Sequence, residues 1–432
     1  MNISPARVAA FDILLSIANE RAFSSVLLPL KEQELSALDR SLCHELTLGT
    51  LRHQLYLDHV IDVLAGGKKI DTEVRIALRL GIYQLYYLDR VPDYSAINET
   101  VNLVQRARKT SAKGFANAIL RRASRERVDV DKQDDISRLS LTTSHPRWLV
   151  EKWVHQFGLA DASLLAAENN AKPAAAFRLT GKQSQQALEL VQSSRPSKYV
   201  SDCYLADGAD SSVYELAARC EIYLQDEASQ MVARSVQVPD GGSFIDVCAA
   251  PGGKTGLIAG RAVVPAMIIA GDVHTARVKL LVHNLDRQNV GHVPIVQYNA
   301  ESALPFPDGM FDSVLVDAPC TGTGTIRRNP EIRYFLGDGD FASLAAKQLS
   351  ILQNASKVVK PGGTITYSTC SLESEENEDV CRRFLAGNGD YVSVKPTVPE
   401  RFITGQGFAR TVPHRDGMDG FFIALFRKAA AA

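Results

Sequence analysis

A chain of 432 residues is too long for one ordinary hydrophobic core, so two or three domains are expected. Apolar residues at 45% and charged residues at 22% exclude general disorder. A formal net charge of −1 excludes a globally basic surface, so any binding of nucleic acid has to come from local patches.

Residues 1–20 hold Asp12 and Glu20 and lack the apolar run of a signal peptide. No later stretch is long enough to span a bilayer, so a cytoplasmic protein with no membrane role is expected. The seven cysteines (43, 203, 220, 248, 320, 370 and 381) are odd in number, widely spread and never paired as Cys-x-x-Cys. That pattern argues against a disulfide framework or a zinc ribbon, and no metal is expected. The ordinary reading of each cysteine is a small core residue.

In chain order, residues 1–128 read as helices. Stretches such as 41–64 and 73–90 space apolar residues by three and four, with Gly66-Gly67 and Val91-Pro92-Asp93 between them. A polar linker is expected over 129–145, where Asp129, Asp131, Asp134 and Asp135 cluster before Ser144-His145-Pro146. Residues 146–230 read as a small α+β segment: a helix from about Trp148, a short strand at Phe177-Arg178-Leu179, a helix over 183–194. From 231 to 428 the rhythm is strand alternating with helix, the sign of a Rossmann-like, doubly wound parallel sheet. Strands are expected at 243–247, 267–271, 294–298, 312–316 and 364–369, with a helix over about 341–359 stopped by Lys360-Pro361-Gly362-Gly363.

The segment DVCAAPGGKT (246–255) follows a strand and opens a helix. Pro251, Gly252 and Gly253 turn tightly there and leave backbone N–H groups bare toward a ligand. A Gly-Gly turn alone is most often only a turn. Here the next strand ends in Asp272, the third in Asn299 and the fourth in Asp317. Carboxyl ends of neighbouring parallel strands line one crevice, so these positions favour a nucleoside ligand over four unrelated helix caps. Two further strand ends carry cysteine, at Asp317-Ala318-Pro319-Cys320 and Tyr367-Ser368-Thr369-Cys370.

At these residues the chain resembles the RNA cytosine-C5 methyltransferases of the Nop2/Sun/NSUN type. The resemblance rests on QDEASQ (225–230), DVCAAPGGKT, DAPCTGTGTIRRNPEI (317–332), QLSILQNASKVVKPGGTITYSTCSLESEENE (348–378) and DGFF (419–422). It implies S-adenosylmethionine as cofactor, held by Cys248, Ala249, Ala250, Pro251, Gly252, Gly253, Lys254, Asp272, Asn299 and Asp317. It implies Cys370 as the nucleophile that adds to C6 of cytosine, and Cys320 as the group that helps remove the C5 proton. The chemistry suits a thiolate, because C5 becomes nucleophilic only after C6 is attacked. A free thiol has a pKa of about 8.5, and Lys254, Arg327 and Arg328 are the candidates for helping Cys370 ionise. Asp317 is placed to bond the target base, which has to leave its stack.

The segments DRSLCHELTLGTLR (39–52), LRLGIYQLYYLDRVPDYSAINETV (78–101) and KGFANAILRR (113–122) resemble a NusB-type RNA-binding domain. Residues 102–127 hold eight Lys or Arg against Glu126 alone, a one-sided run that suits phosphate better than a merely solvated face. That fusion is similar to the bacterial family members acting on 16S ribosomal RNA, so 16S rRNA is the expected partner of a monomeric enzyme. Three positions depart from the family pattern: Asn299 where Asp is common, Thr180 in place of the Asn of an Arg-x-Asn motif, and Cys220 where glycine is usual. The alternatives are the same chemistry on tRNA, which the NusB-like fusion disfavours, and a non-catalytic antitermination-type RNA binder, which both retained cysteines disfavour. A DNA cytosine methyltransferase would carry its nucleophile in a Pro-Cys motif without the second cysteine.

Overall fold

The computed structural model describes residues 3–130, 133–181, 183–206, 211–262 and 266–430, so Asp131 of the expected linker lies outside the described residues. Two compact units result: 1–172 with 326–336, and 173–325 with 337–432.

The first unit is helical, as its apolar spacing requires. Its helices run Pro5–Glu20, Ser24–Glu32, Ala37–Arg52, Gln54–Ala65, Thr72–Tyr87, Asp93–Arg106, Lys113–Ala123, Asp135–Thr143 and Arg147–Glu168, the last interrupted at Gly158. Local chemistry sets their ends. The Ser36 hydroxyl accepts from Asp39 N at 3.2 Å, and Gly66 closes a helix at φ 62°. Phe11, Leu46, Leu57, Val60, Leu78, Ile82 and Leu120 fill the core. The expected linker is partly a helix: its acidic cluster supplies a cap, with Asp134 accepting from Ser137 N at 3.0 Å to start Asp135–Thr143.

The eight basic residues of 102–127 do not form one free surface. Arg106 pairs with Asp12 at 2.6 Å, Lys109 with Asp71 at 2.9 Å, and Arg122 with Glu126 at 3.4 Å. Arg127 lies 3.7 Å over the Tyr86 ring.

Residues 326–336 follow the Cys320 loop in the chain, yet they pack with the first unit. The reason is two buried charges. Glu331 accepts from Ser24 N at 2.7 Å and from its hydroxyl at 2.9 Å, at the start of Ser24–Glu32. Arg333 donates to Thr143 O at 3.1 Å, Ser144 O at 3.2 Å, Asn169 O at 3.3 Å and Asn170 Oδ1 at 2.9 Å.

The second unit begins with a small antiparallel sheet of β1 (Ala175–Leu179), β2 (Arg195–Pro196), β3 (Tyr204–Ala206) and β4 (Ile222–Leu224), ordered β2-β3-β1-β4. The helix expected over 183–194 is Gln185–Ser193. Cys220 sits just before β4 at φ 61°, the left-handed region where glycine is the unstrained residue.

The main sheet contains β5 (Ser243–Asp246), β6 (Met267–Asp272), β7 (Ile295–Gln297), β8 (Phe311–Asp317), β9 (Val359–Thr369), β10 (Tyr391–Val394), β11 (Ala409–Arg410) and β12 (Phe422–Lys428). Its order is β10-β12-β9-β8-β5-β6-β7, with β11 on β12. The β9-β8-β5-β6-β7 part is parallel, and the order reverses between β5 and β8. Such a reversal opens a crevice at the carboxyl ends. The antiparallel strands β10, β11 and β12 are additional to the five expected. Lys360-Pro361-Gly362-Gly363 ends the helix Asp338–Lys357 as expected, but lies inside β9 opposite a register shift in β8. Among the described residues, no helix is long and apolar enough to cross a membrane.

Candidate active site

The crevice between β5 and β8 is floored by the turn that follows β5. Its Ala250-Pro251 bond is cis, and Gly252 takes φ 102° before the helix Gly253–Arg261 begins. A Cβ at Gly252 would meet Leu281 Cδ1 at 2.9 Å, so both conformation and packing ask for glycine. No side chain caps that helix, which leaves its first N–H groups facing the crevice. Ala250 N donates to Asp272 Oδ2 at 3.2 Å, while Asp272 Oδ1 accepts from Val273 N at 2.8 Å. Arg277 bridges this corner, pairing with Asp272 at 3.2 Å and donating to Ala250 O at 2.8 Å.

Three strand-end carboxylates meet around Cys248. Burial raises its thiol first, and Asp246, Asp272 and Asp317 raise it further. Asp246 itself is fully buried, and Thr255 Oγ1 donates to its Oδ2 at 2.6 Å. Burial pushes the Asp246 carboxyl up to about 7. Asn299 is exposed and accepts from Glu301 N at 3.0 Å.

Lys254 Nζ donates to Asp317 Oδ2 at 2.7 Å and lies 4.9 Å over the Phe421 ring. Burial pulls the lysine down, but Asp317, then Cys370 and Asp246, more than offset it, so the ammonium is held above the ordinary lysine range. The Ser368 hydroxyl holds the other Asp317 oxygen at 2.7 Å.

The two expected cysteines come together across 50 residues of chain, with Sγ atoms 3.2 Å apart, and Cys370 N donates to Cys320 Sγ at 3.3 Å. The hydrogen bond to Cys370, then burial, then the charges of Cys370 and Glu376 raise the Cys320 thiol well above its ordinary value. Gly324 N donates to Cys370 O at 2.9 Å, and Gly420 N to Gly324 O at 2.8 Å. A Cβ on Gly324 would lie 2.1 Å from Gly420 O, which explains why GTGT and DGFF need glycine where they cross. Of the candidates for helping Cys370, Lys254 belongs to this site. Arg327 is folded into the first unit, where it is buried on Glu168 at 3.2 Å, and Arg328 also belongs to that unit.

Sequence reasoning left out Arg178, Arg277, Glu376 and Asn377. Arg178 is buried, donating to Gln225 Oε1 at 3.1 Å and Gly253 O at 3.3 Å, which braces the turn from below. Glu376 and Asn377 stand in the quoted SLESEENE run, so only their roles were unread.

A parallel sheet reversing beside an uncapped helix start, with a carboxylate at the end of the next strand, is the geometry of a nucleoside-binding doubly wound fold. Residues 234–427 match the family described as 16S rRNA methyltransferase RsmB/F, and residues 4–125 match the NusB family. The chain is 33% identical to a probable ribosomal RNA small subunit methyltransferase B of Bacillus subtilis, covering 99% of this chain and 100% of that protein. It is 31% identical to ribosomal RNA small subunit methyltransferase B of Pseudomonas putida, covering 99% of each. Among solved structures, PH0851 superposes with a TM-score of 0.84 at 24% identity over 99% of this chain and 100% of that one. NSun6 from Pyrococcus horikoshii with SFG superposes at 0.56 and 21% identity, over 66% and 99%. The chain belongs to the RsmB/F family of S-adenosylmethionine-dependent rRNA methyltransferases.

Proposed function

We propose that this chain methylates C5 of a cytosine in 16S ribosomal RNA through a covalent bond between Cys370 and C6. The observation that carries the reading is the sulfur pair at 3.2 Å, set on the same crevice as the Lys254–Asp317 ion pair. The relatives named for the small-subunit RNA, and the NusB match, support the substrate.

The residues fit the cofactor: Cys248 to Lys254 form the turn and bare helix start, Asp272 offers carboxylate oxygens to ribose hydroxyls, and Asp317 and Asn299 border them. When bound, S-adenosylmethionine supplies an electrophilic methyl group. The Cys370 thiolate forms a bond to C6, which makes C5 nucleophilic, and Lys254 favours that thiolate electrostatically. Asp317 accepts a hydrogen bond from the flipped base. After C5 gains its methyl, Cys320, having released its own proton to water, takes the C5 proton. The C5–C6 double bond then re-forms and the Cys370–C6 bond breaks. The proposed site of action is the cytoplasm.

Bisulfite sequencing of 16S rRNA from a deletion strain tests this. One protected cytosine should become convertible, with protection restored by the wild-type gene and not by Cys370→Ala. An unchanged 16S pattern would overturn the substrate assignment.

A further inference from the structure

We propose that Glu376 is a positioning residue of this site, clamping the Cys320 and Cys370 loops together and reserving the proton of the sulfur pair for Cys320. The inference rests on the proposed covalent chemistry and adds to it how two like thiols acquire different roles.

Glu376 is fully buried. Its Oε1 accepts from Thr321 N at 2.9 Å and from Gln348 Nε2 at 2.8 Å, and its Oε2 accepts from the hydroxyls of Thr321 and Ser371. Thr321 follows Cys320 and Ser371 follows Cys370, so one carboxylate ties the residues next to both sulfurs. The tie is itself anchored: the Tyr367 hydroxyl donates to Glu376 O at 2.6 Å, and Asn377 Nδ2 donates to Ser371 O at 2.9 Å.

All four donors to the carboxylate are neutral, and no described cation pairs with it, so its charge is felt nearby. Burial holds the Glu376 carboxyl above its ordinary range, and the hydrogen bonds from Ser371, Thr321 and Gln348 offset only part of that rise. The groups that bear on the sulfurs are then distributed unevenly. Lys254, itself paired with Asp317, interacts with Cys370, while Glu376 opposes a charge on Cys320 and the Tyr367 phenol lies near Cys320. Two thiolates at 3.2 Å repel, so the pair ionises one sulfur at a time. The field opposes that ionisation at Cys320. The same opposition makes Cys320 a strong base once its proton has gone, which is what the last step needs.

The test is limited alkylation by iodoacetamide, without RNA or S-adenosylmethionine, followed by mass spectrometry of the Cys320 and Cys370 peptides. In the wild type Cys370 should be labelled ahead of Cys320. In Glu376→Gln the rate at Cys320 should rise roughly tenfold at about pH 8, the size of one pKa unit. Glu376→Asp keeps the charge and should keep the order. Unchanged labelling in a Glu376→Gln protein of wild-type stability and cofactor affinity overturns the proposal. If that variant does not fold, Cys370→Ser leaves Glu376 intact, and Cys320 should then ionise above the free-thiol value of about 8.5; a midpoint at or below it overturns the proposal. Because no substrate is present, failure of the cytosine reading would leave the labelling order intact.

Discussion

At the scale of single residues, two sulfurs 3.2 Å apart are chemically alike, so their roles have to show in what each deletion stops. Cys370→Ala removes the nucleophile, and neither adduct nor methylation is expected. Cys320→Ala leaves attack and methyl transfer intact but removes the acceptor of the C5 proton, so the Cys370–C6 adduct should accumulate. A denaturing gel after incubation with cofactor and RNA checks this: an RNase-sensitive slow band belongs to Cys320→Ala, and its appearance in Cys370→Ala would exchange the roles. Asp272→Ala should weaken cofactor binding roughly ten- to a hundredfold, the equivalent of about 1.5–3 kcal/mol in hydrogen bonds to a charged group. Calorimetry giving wild-type affinity would remove Asp272 from the site. Asp246 makes a prediction about pH. Its carboxyl is raised in the fold from 3.8 to about 7. Between those values the folded chain keeps a proton that the unfolded chain has released, so this residue's contribution to stability falls as pH rises and bottoms out above the folded value. Three units correspond to on the order of 4 kcal/mol. Measured as unfolding free energy against Asp246→Asn, the wild type should lose ground from pH ~4 to ~7; a difference flat across that range would show Asp246 ionised in the fold.

At the scale of elements, the basic run in 102–127 separates into paired and free charges. Arg106 and Lys109 are tied to acids, whereas Arg121 and Arg125 are exposed on and just beyond the helix Lys113–Ala123. Replacing Arg121 and Arg125 with Ala should lower the slope of log affinity for RNA against log salt by roughly 0.7–0.9 for each phosphate no longer neutralised. The Arg106→Ala/Lys109→Ala pair should leave it nearly unchanged, and an unchanged slope in the first pair would reduce the patch to a solvated face. The contrast marks what the sequence discloses. Helices of the first unit and the parallel strands β5 to β9 are legible because spacing of three or four, and strand–helix alternation, are local patterns. Their carboxyl ends then point to Asp272, Asp317, Cys320 and Cys370 without any coordinates. The strands β10 to β12 are not legible in this way, being antiparallel additions that fall outside the strand–helix alternation. Pairing of Arg106 with Asp12, or of Thr321 with Ser371 through Glu376, joins residues tens of positions apart and leaves no periodic trace.

At the scale of the whole molecule, residues 326–336 leave the catalytic sequence and complete the helical unit. Read as sequence, they continue the DAPC segment; what places them elsewhere is the satisfaction of Arg333, which no periodicity encodes. Its guanidinium is fully buried and gathers oxygens at the ends of helices, of which Thr143 O also accepts from Asn170 Nδ2 at 2.8 Å and Ser144 O from the Tyr334 hydroxyl at 3.2 Å. Arg333→Ala therefore removes donors from Thr143 O, Ser144 O, Asn169 O and Asn170 Oδ1 at once and leaves a cavity besides. At 1–3 kcal/mol for each buried group left unsatisfied, partly recovered by water, a net loss of about 3 kcal/mol is expected. The chain has two tryptophans, Trp148 and Trp153, both on Arg147–Glu168, so tryptophan fluorescence reports on the first unit. Urea unfolding followed by that signal should shift its midpoint down by about 1–3 M in Arg333→Ala, given slopes of roughly 1–3 kcal/mol/M. Arg333→Lys keeps the charge but lacks the planar fork that reaches several carbonyls, and should fall between the two. A fluorescence midpoint unmoved in Arg333→Ala would mean that the helical unit holds its carbonyls without this segment, and that 326–336 is an appendage of the catalytic half after all.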